Sequence, residues 1–214
     1  MKDDHALSSR YTNVISTLRA AYDGKVEERE GKTLYSWKAA ERARFLAMVQ
    51  AEGKQQLLEI GMGTGRDSLF FQAQGLTVTG TDLSPVMVAH GRDKGLNAYA
   101  VDFANLDHYF APESFDAIYA FNCLLHVPKA DLPAILTSIR TILRPDGLFY
   151  WGQYGGVDVE GVWEGDHYEP KRFFARYTDD QLRTIARRFF AEEAFCVVPK
   201  GEGNHFHAVT LRRT

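Results

Sequence analysis

Three glycines at alternate positions, Gly61, Gly63 and Gly65, follow the apolar run Leu57-Leu58-Glu59-Ile60 and lead into Arg66-Asp67. Glycine lets a backbone turn left-handed and come close to a ligand. A buried strand ending at Ile60 and a helix beginning near Gly65 would point unpaired N–H groups at whatever occupies the turn. About twenty residues on, Val78-Thr79-Gly80-Thr81-Asp82 closes the next apolar stretch, and a carboxylate so placed grips ribose hydroxyls in open α/β sheets. Together these residues read as a site for a nucleoside-containing cofactor.

The spacing is GxGxG, with Arg66 where a dinucleotide fingerprint would carry its third glycine. Glu59 puts a carboxylate at the strand end, which would repel a pyrophosphate and attract an ammonium- or sulfonium-bearing ligand. Both points oppose a nicotinamide dinucleotide.

From roughly Gln55 to Tyr154 the chain resembles the class I S-adenosylmethionine-dependent methyltransferases. The likeness rests on Leu58 to Gly65, on Gly80-Thr81-Asp82-Leu83-Ser84-Pro85-Val86-Met87, on Phe115-Asp116-Ala117-Ile118, and on Leu143-Arg144-Pro145-Asp146-Gly147-Leu148. The resemblance implies S-adenosylmethionine as cofactor and S-adenosylhomocysteine as product. Its holders would be Glu59, Gly61, Met62, Gly63, Thr64 and Gly65 in the first turn, and Asp82, Leu83 and Met87 after the second strand. Asp102 and Phe103 would meet the adenine, Asn122 and Cys123 the methionine end, and Tyr22 would close over the cofactor. The Asn122-Cys123-Leu124 run departs from the N/D-P-P-Y pattern of DNA amino-methylating enzymes, so DNA is not an expected partner. Asn122 alone does not supply the acidic cluster of a magnesium site, and no metal is expected.

At the acceptor end, His126 in Leu125-His126-Val127-Pro128 could take a proton from a hydroxyl, thiol or amine. The same ring could instead be a structural histidine bonded to a backbone group. The segment 155–176 is rich in glycine, aromatics and charge and shows no period, which reads as a long lid loop or as a solvated loop anchored by Trp163 and Phe173. As a lid it would bring Trp163, His167 and Tyr168 to the substrate beside Tyr154 and Trp37. Its carboxylates, Asp158, Glu160, Glu164, Asp166 and Glu169, would suit a cationic acceptor, and its aromatics a planar one. Arg42 and Arg44, on the same helix as Trp37, could contact the cofactor carboxylate or the acceptor.

The elements that must position these residues read as alternating strands and helices. Strands are expected near 55–60, 77–82, 97–101, 115–121 and 147–153, then an antiparallel pair near 193–199 and 205–212. Helices precede them over 6–21 and from about Ser36, read as an N-cap, to Glu52. Ser84-Pro85 marks a cap with proline in the first helical position, Leu132 to Leu143 carries an apolar stripe, and Thr178 to Gln181 forms a capping box for a helix through about Phe190. The fold expected is a Rossmann-like α/β domain: a seven-stranded, mostly parallel sheet with an antiparallel last strand, helices on both faces and a helical N-terminal cap. The cap would span 1–53, and the cofactor-binding domain 54–214 with the lid near 155–176.

The 214 residues, 45% of them apolar, suffice for one domain with a substantial core. A formal charge of −3 gives no global attraction to nucleic acid. Cys123 and Cys196 lack metal-ligand spacing and read as reduced core thiols. The polar start Met1-Lys2-Asp3-Asp4-His5 lacks a secretory signal and no stretch is long enough to span a membrane, so a cytoplasmic protein without a membrane partner is expected. The function expected is in-line transfer of methyl to an oxygen, nitrogen or sulfur of a small molecule. The alternatives are an RNA or protein acceptor, or a nonenzymatic S-adenosylmethionine-binding protein. Arg183, Arg187, Arg188, Arg212 and Arg213 allow an RNA-facing patch, although neighbouring acids make a mixed solvated surface the simpler reading.

Overall fold

The computed structural model describes residues 8–201 and 204–214. The start of the expected first helix, the polar N-terminus and Leu7 lie outside them. Seven strands form one sheet: β1 (Gln56–Ile60), β2 (Thr77–Asp82), β3 (Asn97–Ala100), β4 (Phe115–Phe121), β5 (Leu143–Gly155), β8 (Ala191–Pro199) and β9 (His205–Arg212). Their order across it is β3-β2-β1-β4-β5-β9-β8. The first five run parallel, and β9 inserts antiparallel between β5 and β8. The order reverses at β1, which pairs with both β2 and β4. Crevices for ligands open at such a switch, beyond the carboxyl ends of the strands.

The central strands are apolar on both sides, as buried parallel strands must be. Leu58, Ile60, Ile118, Ala120, Phe149 and Trp151 face one layer, into which α1 (Ser9–Asp23), the short α6 (Leu106–Tyr109), α7 (Leu132–Ile142) and α8 (Asp179–Ala186) pack. Leu57, Ala117, Tyr119, Leu148 and Tyr150 face the other, covered by Phe45, Leu46 and Val49 of α3 (Ser36–Ala51) and Phe71 of α4 (Arg66–Ala73). The period of two along each strand sorts side chains between the layers. Of the N-terminal helices, α1 packs into one layer and α3 into the other. Beyond the α4 edge, α5 (Pro85–Asp93) and β3 enclose a small cluster of Met62, Val88, Leu96 and Ala98.

Several local expectations change. Ser36 is the first residue of α3, not its cap; Tyr35 holds that place without a side-chain bond. A short helix, α2 (Val26–Glu30), follows α1. β5 begins at Leu143 because Leu143 pairs with Phe115 and Leu148 with Ala117, so Arg144 to Gly147 form a bulge. Asp146 takes a φ of +63° there. The aperiodic segment after β5 is a hairpin of β6 (Val159–Val162) and β7 (Phe173–Arg176). Only Phe173 and Ala175 of its eight strand residues are buried, so the alternation is too short and too one-sided to read from the sequence. α8 stops at Ala186 rather than Phe190, but its capping box between Thr178 and Gln181 is present.

Ile139 is fully buried on α7 between the helix and the sheet. Ile139→Ala is expected to destabilise the fold by about 2–5 kcal/mol through lost burial and a residual cavity, measured as a shift of the urea midpoint at unchanged slope.

Candidate active site

The turn after β1 is left-handed at all three glycines, with φ of +68° at Gly61, +56° at Gly63 and +79° at Gly65. A Cβ on Gly61 would stand 2.5 Å from the Cβ of Cys123, and one on Gly65 2.3 Å from Cδ1 of Leu96. Gly65 caps α4, whose first N–H groups therefore face the turn. Asp82 fixes this geometry from the next strand. One of its oxygens accepts the N–H of Gly63 at 2.8 Å and the other that of Ser84 at 2.9 Å. Burial raises the Asp82 carboxyl above the usual range, while these N–H groups and the nearby Arg29 charge favour the anion.

Glu59 does not present its charge to the crevice. Its carboxyl is buried beneath the turn, where the Ser68 hydroxyl of α4 donates to it, and burial together with the charge of Asp67 pushes its pKa well up. The Met62 side chain also turns away, into the cluster under β2, and Met87 is buried at the start of α5. Ser84 caps that helix by accepting the Met87 N–H at 3.2 Å. The carbonyl of Leu83 accepts Nε of Arg19 at 3.3 Å, and Thr64 is buried within reach of Glu30. Asp102 spends its oxygens locally, accepting the Ala104 N–H at 2.8 Å and the Asn105 side-chain amide at 2.7 Å. Its neighbour Phe103 packs its ring edge 3.6 Å from where a Gly61 Cβ would lie.

At the end of β4, Asn122 takes a left-handed φ of +58°, and its N–H donates to the Gly152 carbonyl at 2.6 Å. Its side-chain oxygen is buried without a partner. Cys123 donates from Sγ to the Ile60 carbonyl at 3.2 Å, and burial pushes its thiol pKa far up, so it packs the turn as an inert thiol.

A polar relay joins α1 to the hairpin through His126. Nδ1 of His126 lies 2.7 Å from the Phe173 carbonyl and Nε2 lies 2.9 Å from the Tyr22 hydroxyl. A carbonyl only accepts, so the ring proton sits on Nδ1 and Nε2 accepts from Tyr22. Arg172 donates to the same hydroxyl at 2.9 Å and grips Asp166 with both arms, at 2.7 and 2.8 Å. Burial, aided by the charges of Arg172 and Arg29, lowers His126 to about 4. The expected base therefore has no free nitrogen; of its two sequence readings, the structural one matches this placement.

Arg29 of α2, which the sequence did not single out, lies across the turn. Its guanidinium carbon is 5.0 Å from the Tyr22 ring centre, and its Nη2 is 3.3 Å from the Cβ position of Gly63. Arg42 and Arg44 do not reach this place: Arg42 pairs with Asp67 at 2.6 Å and Arg44 with Glu41 at 3.2 Å. Only the helical register of α2 could have announced Arg29, and five residues are too few to show one. A groove of about 680 Å³ between α2 and α5, lined by Val26, Glu30, Val86 and His90, holds none of the expected site residues.

The expected substrate residues fall into two groups. Trp37 and Tyr154 join Phe121 and Phe206 in an aromatic cluster, with Trp37 centred 4.9 Å from Phe206, 6.2 Å from Phe121 and 6.5 Å from Tyr154. Lys200 stands 3.3 Å over the Trp37 ring and Lys38 stands 5.4 Å from Trp37 and from Phe121. Trp163, His167 and Tyr168 belong to the hairpin. Tyr168 is buried under Arg172, 5.5 Å from Tyr22, whereas His167 and Trp163 are exposed. The hairpin carboxylates are mostly taken: Asp158 by Lys129, Glu160 by Arg10, Glu164 by Lys171 and Asp166 by Arg172. The reading that they attract a cationic acceptor is not supported by this pairing.

Comparison with known proteins agrees with this architecture. Residues 57–147 match the family described as "Methyltransferase domain". A demethylmenaquinone methyltransferase from Tropheryma whipplei (strain Twist) is 29% identical over 143 residues, which cover 66% of this chain and 54% of that protein. A ubiquinone biosynthesis O-methyltransferase from Histophilus somni is 32% identical over 113 residues, covering 48% and 47%. The chain thus spans about half the length of the curated relatives it matches. A solved structure, 1,6-didemethyltoxoflavin-N1-methyltransferase from Burkholderia thailandensis with bound 1,6-didemethyltoxoflavin and S-adenosylhomocysteine, superposes with a TM-score of 0.74 at 24% identity, over 99% of this chain and 93% of that one. The family match falls on the stretch that carries the glycine turn, Asp82 and Asn122, so residues 57–147 resemble a methyltransferase domain and the chain is similar to S-adenosylmethionine-dependent methyltransferases.

Proposed function

We propose that the protein transfers the methyl group of S-adenosylmethionine to an oxygen, nitrogen or sulfur of a small planar molecule. The observation that carries this reading is the left-handed glycine turn after β1 pinned by Asp82, together with the unpartnered side-chain oxygen of Asn122 just past the end of the neighbouring strand β4. A tight backbone turn and an orphaned buried acceptor on the adjacent strand end fit a nucleoside amino acid. In this reading the glycine turn lines the nucleoside side, Asp82 stands at the ribose and Phe103 at the adenine. Asn122 and Arg29 bracket the amino-acid end, the first as an acceptor for its ammonium and the second as a cation for its carboxylate.

S-adenosylmethionine supplies a methyl group already activated on a sulfonium, so the chain's own residues need only align the nucleophile and exclude water. Tyr22, Arg172 and the hairpin do the excluding. His126 holds the Tyr22 hydroxyl in place and does not take the acceptor's proton. The aromatic cluster of Trp37, Phe121, Tyr154 and Phe206 suits a flat acceptor, and Lys38 and Lys200 beside it favour one that is electron-rich or acidic. Such cations lower the pKa of an acceptor N–H or O–H, which supplies the nucleophile without a protein base. The 1,6-didemethyltoxoflavin bound in the Burkholderia structure is in keeping with a small-molecule acceptor. The reading with a nucleic acid acceptor finds less support, because Arg183 and Arg187 are tied to Glu192, Arg212 to Glu52 and Arg213 to Glu113. Among the described residues no helix is long and apolar enough to cross a membrane.

Calorimetric titration with S-adenosylhomocysteine tests the cofactor site. The wild type is expected to bind, and Asp82→Ala to lose at least tenfold in affinity, about 1.4 kcal/mol; equal affinities would overturn the assignment. Radiolabelled methyl from S-adenosylmethionine should enter the small-molecule fraction of a cell extract, and label confined to RNA or protein would reject the acceptor class.

With a small acceptor identified, Trp37→Ala should raise KM about tenfold or more with little change in S-adenosylhomocysteine affinity. An unchanged KM would remove Trp37 from the acceptor site.

The lowered pKa of His126 has a signed consequence for stability. The unfolded ring takes up a proton below about pH 6.5, whereas the folded ring resists until about 4. Its contribution is therefore full above pH 6.5 and is lost as the pH falls toward 4, by up to about 3 kcal/mol. Urea midpoints from pH 7.5 to 4 should fall more steeply for the wild type than for His126→Gln, and parallel curves would contradict the buried neutral ring.

A further inference from the structure

Asp179, His205 and His207 lie outside the crevice and take no part in the proposed reaction. Asp179 is the first residue of α8, just beyond β7, and the two histidines are on the same face of β9. Their donor atoms converge. Oδ1 of Asp179 lies 2.6 Å from Nε2 of His205 and 2.8 Å from Nε2 of His207, and the two nitrogens are 2.9 Å apart. Three donors bound at right angles to one ion at ~2.05 Å would have edges of roughly 2.9 Å, and tetrahedral ones roughly 3.3 Å. Each edge of the triangle is therefore at, or a few tenths of an ångström short of, the shell of a single transition ion.

The surroundings are those of a built site. His207 is fully buried and its Nδ1 has no hydrogen-bond partner, so all its polar contacts lie in this triangle. The ring fits because residue 155 is glycine: a Cβ there would come within 2.2 Å of Cε1 of His207 and 2.8 Å of the Tyr177 carbonyl. Asp179 is partly exposed, its side chain 43% accessible, which leaves a path for an ion from solvent. Two imidazoles and one carboxylate form the donor set that suits a divalent first-row transition ion and leaves coordination positions open.

We propose that Asp179, His205 and His207 bind a divalent transition-metal ion, with zinc the fitting probe, which ties the root of the hairpin to β9. The sequence reading expected no metal. The histidines are separated from Asp179 by 26 and 28 residues, and no local spacing joins them before β9 pairs with β5. Through α8 and Tyr177, whose carbonyl accepts the N–H of Gly156 at 2.9 Å, such an ion would fix where β7 leaves the sheet and hence where Phe173 meets His126. It would act by position and need not touch the acceptor.

The test uses untagged, chelator-treated full-length protein titrated with Co²⁺ as a spectroscopic probe and with Zn²⁺ in competition. One equivalent of Co²⁺ per chain is expected, with a visible ligand-field band that Zn²⁺ abolishes, and Zn²⁺ should raise the melting temperature. Asp179→Asn and His205→Gln change partly exposed side chains, and both should keep the chelated protein's melting temperature within a few degrees while losing at least tenfold in Co²⁺ affinity. Failure of the wild type to take up either ion at concentrations up to ~100 μM would overturn the proposal, as would equal uptake in both variants. Calorimetry with S-adenosylhomocysteine on the same chelated protein keeps this outcome separate from that of the cofactor site.

Discussion

Two backbone N–H groups converge on the carboxylate of Asp82, and the crevice depends on them. Gly63 belongs to the turn between β1 and α4, and Ser84 to the turn between β2 and α5. One side chain therefore locks the exits of two neighbouring parallel strands. Bonds to a charged acceptor contribute about 1.5–3 kcal/mol each, enough to offset the entropy that left-handed glycines lose on folding. Burial works against the charge of Asp82, and the N–H groups and Arg29 work for it. On balance burial wins and the Asp82 pKa is raised, so the N–H groups and Arg29 offset only part of the desolvation of the carboxylate that holds the turn.

The covering elements hang on the same turn. Arg66, at the position where a dinucleotide fold would need glycine, reaches out to the carbonyls of Glu30 at 3.0 Å and Lys32 at 2.5 Å. A cation at the carboxyl end of α2 satisfies its open carbonyls and favours its dipole. It also sets α2 where Arg29 crosses Gly63. From there Tyr22 links to His126 and Arg172, and Arg172 to Asp166, so the N-terminal helices and the hairpin are joined through one phenol. Buried polar chains stabilise only when every member is satisfied, and here the carbonyl of Phe173 completes the last bond.

What the sequence disclosed follows from how local each signal is. The bounds of β2 and β4 could be read from turn signals and strand-forming residues, β2 as threonines and valine between Gly75 and Ser84-Pro85 and β4 as an apolar and aromatic run after Glu113-Ser114. Ser84-Pro85 and the Thr178–Gln181 box were legible because caps are set by residues three apart. The turn at the glycines was legible, since only a few residues tolerate such backbone geometry, and Asp82 holds it. Glu59 was located but its direction was not: strand parity turned it under the loop toward Ser68. The hairpin, α2 with Arg29, and the Asp179 cluster depend on contacts between distant segments, as does the bulge at Arg144 to Gly147, which exists because β5 must pair with β4 on both sides of it.

Charge is divided unevenly over the crevice. On the hairpin side most carboxylates are neutralised by the protein's own lysines and arginines, while at the aromatic cluster Lys38 and Lys200 face rings rather than acids. Burial lowers the pKa of Lys38, with the charge of Asp67 opposing it. A partly desolvated ammonium beside aromatic faces gains most from an acceptor that brings negative charge into the gap, because attraction strengthens as water leaves. In the reaction proposed above, binding and activation of the nucleophile would then have a single physical cause. Such a cause needs no protein base, which is consistent with a His126 whose two nitrogens are both engaged, by Tyr22 and by the Phe173 carbonyl.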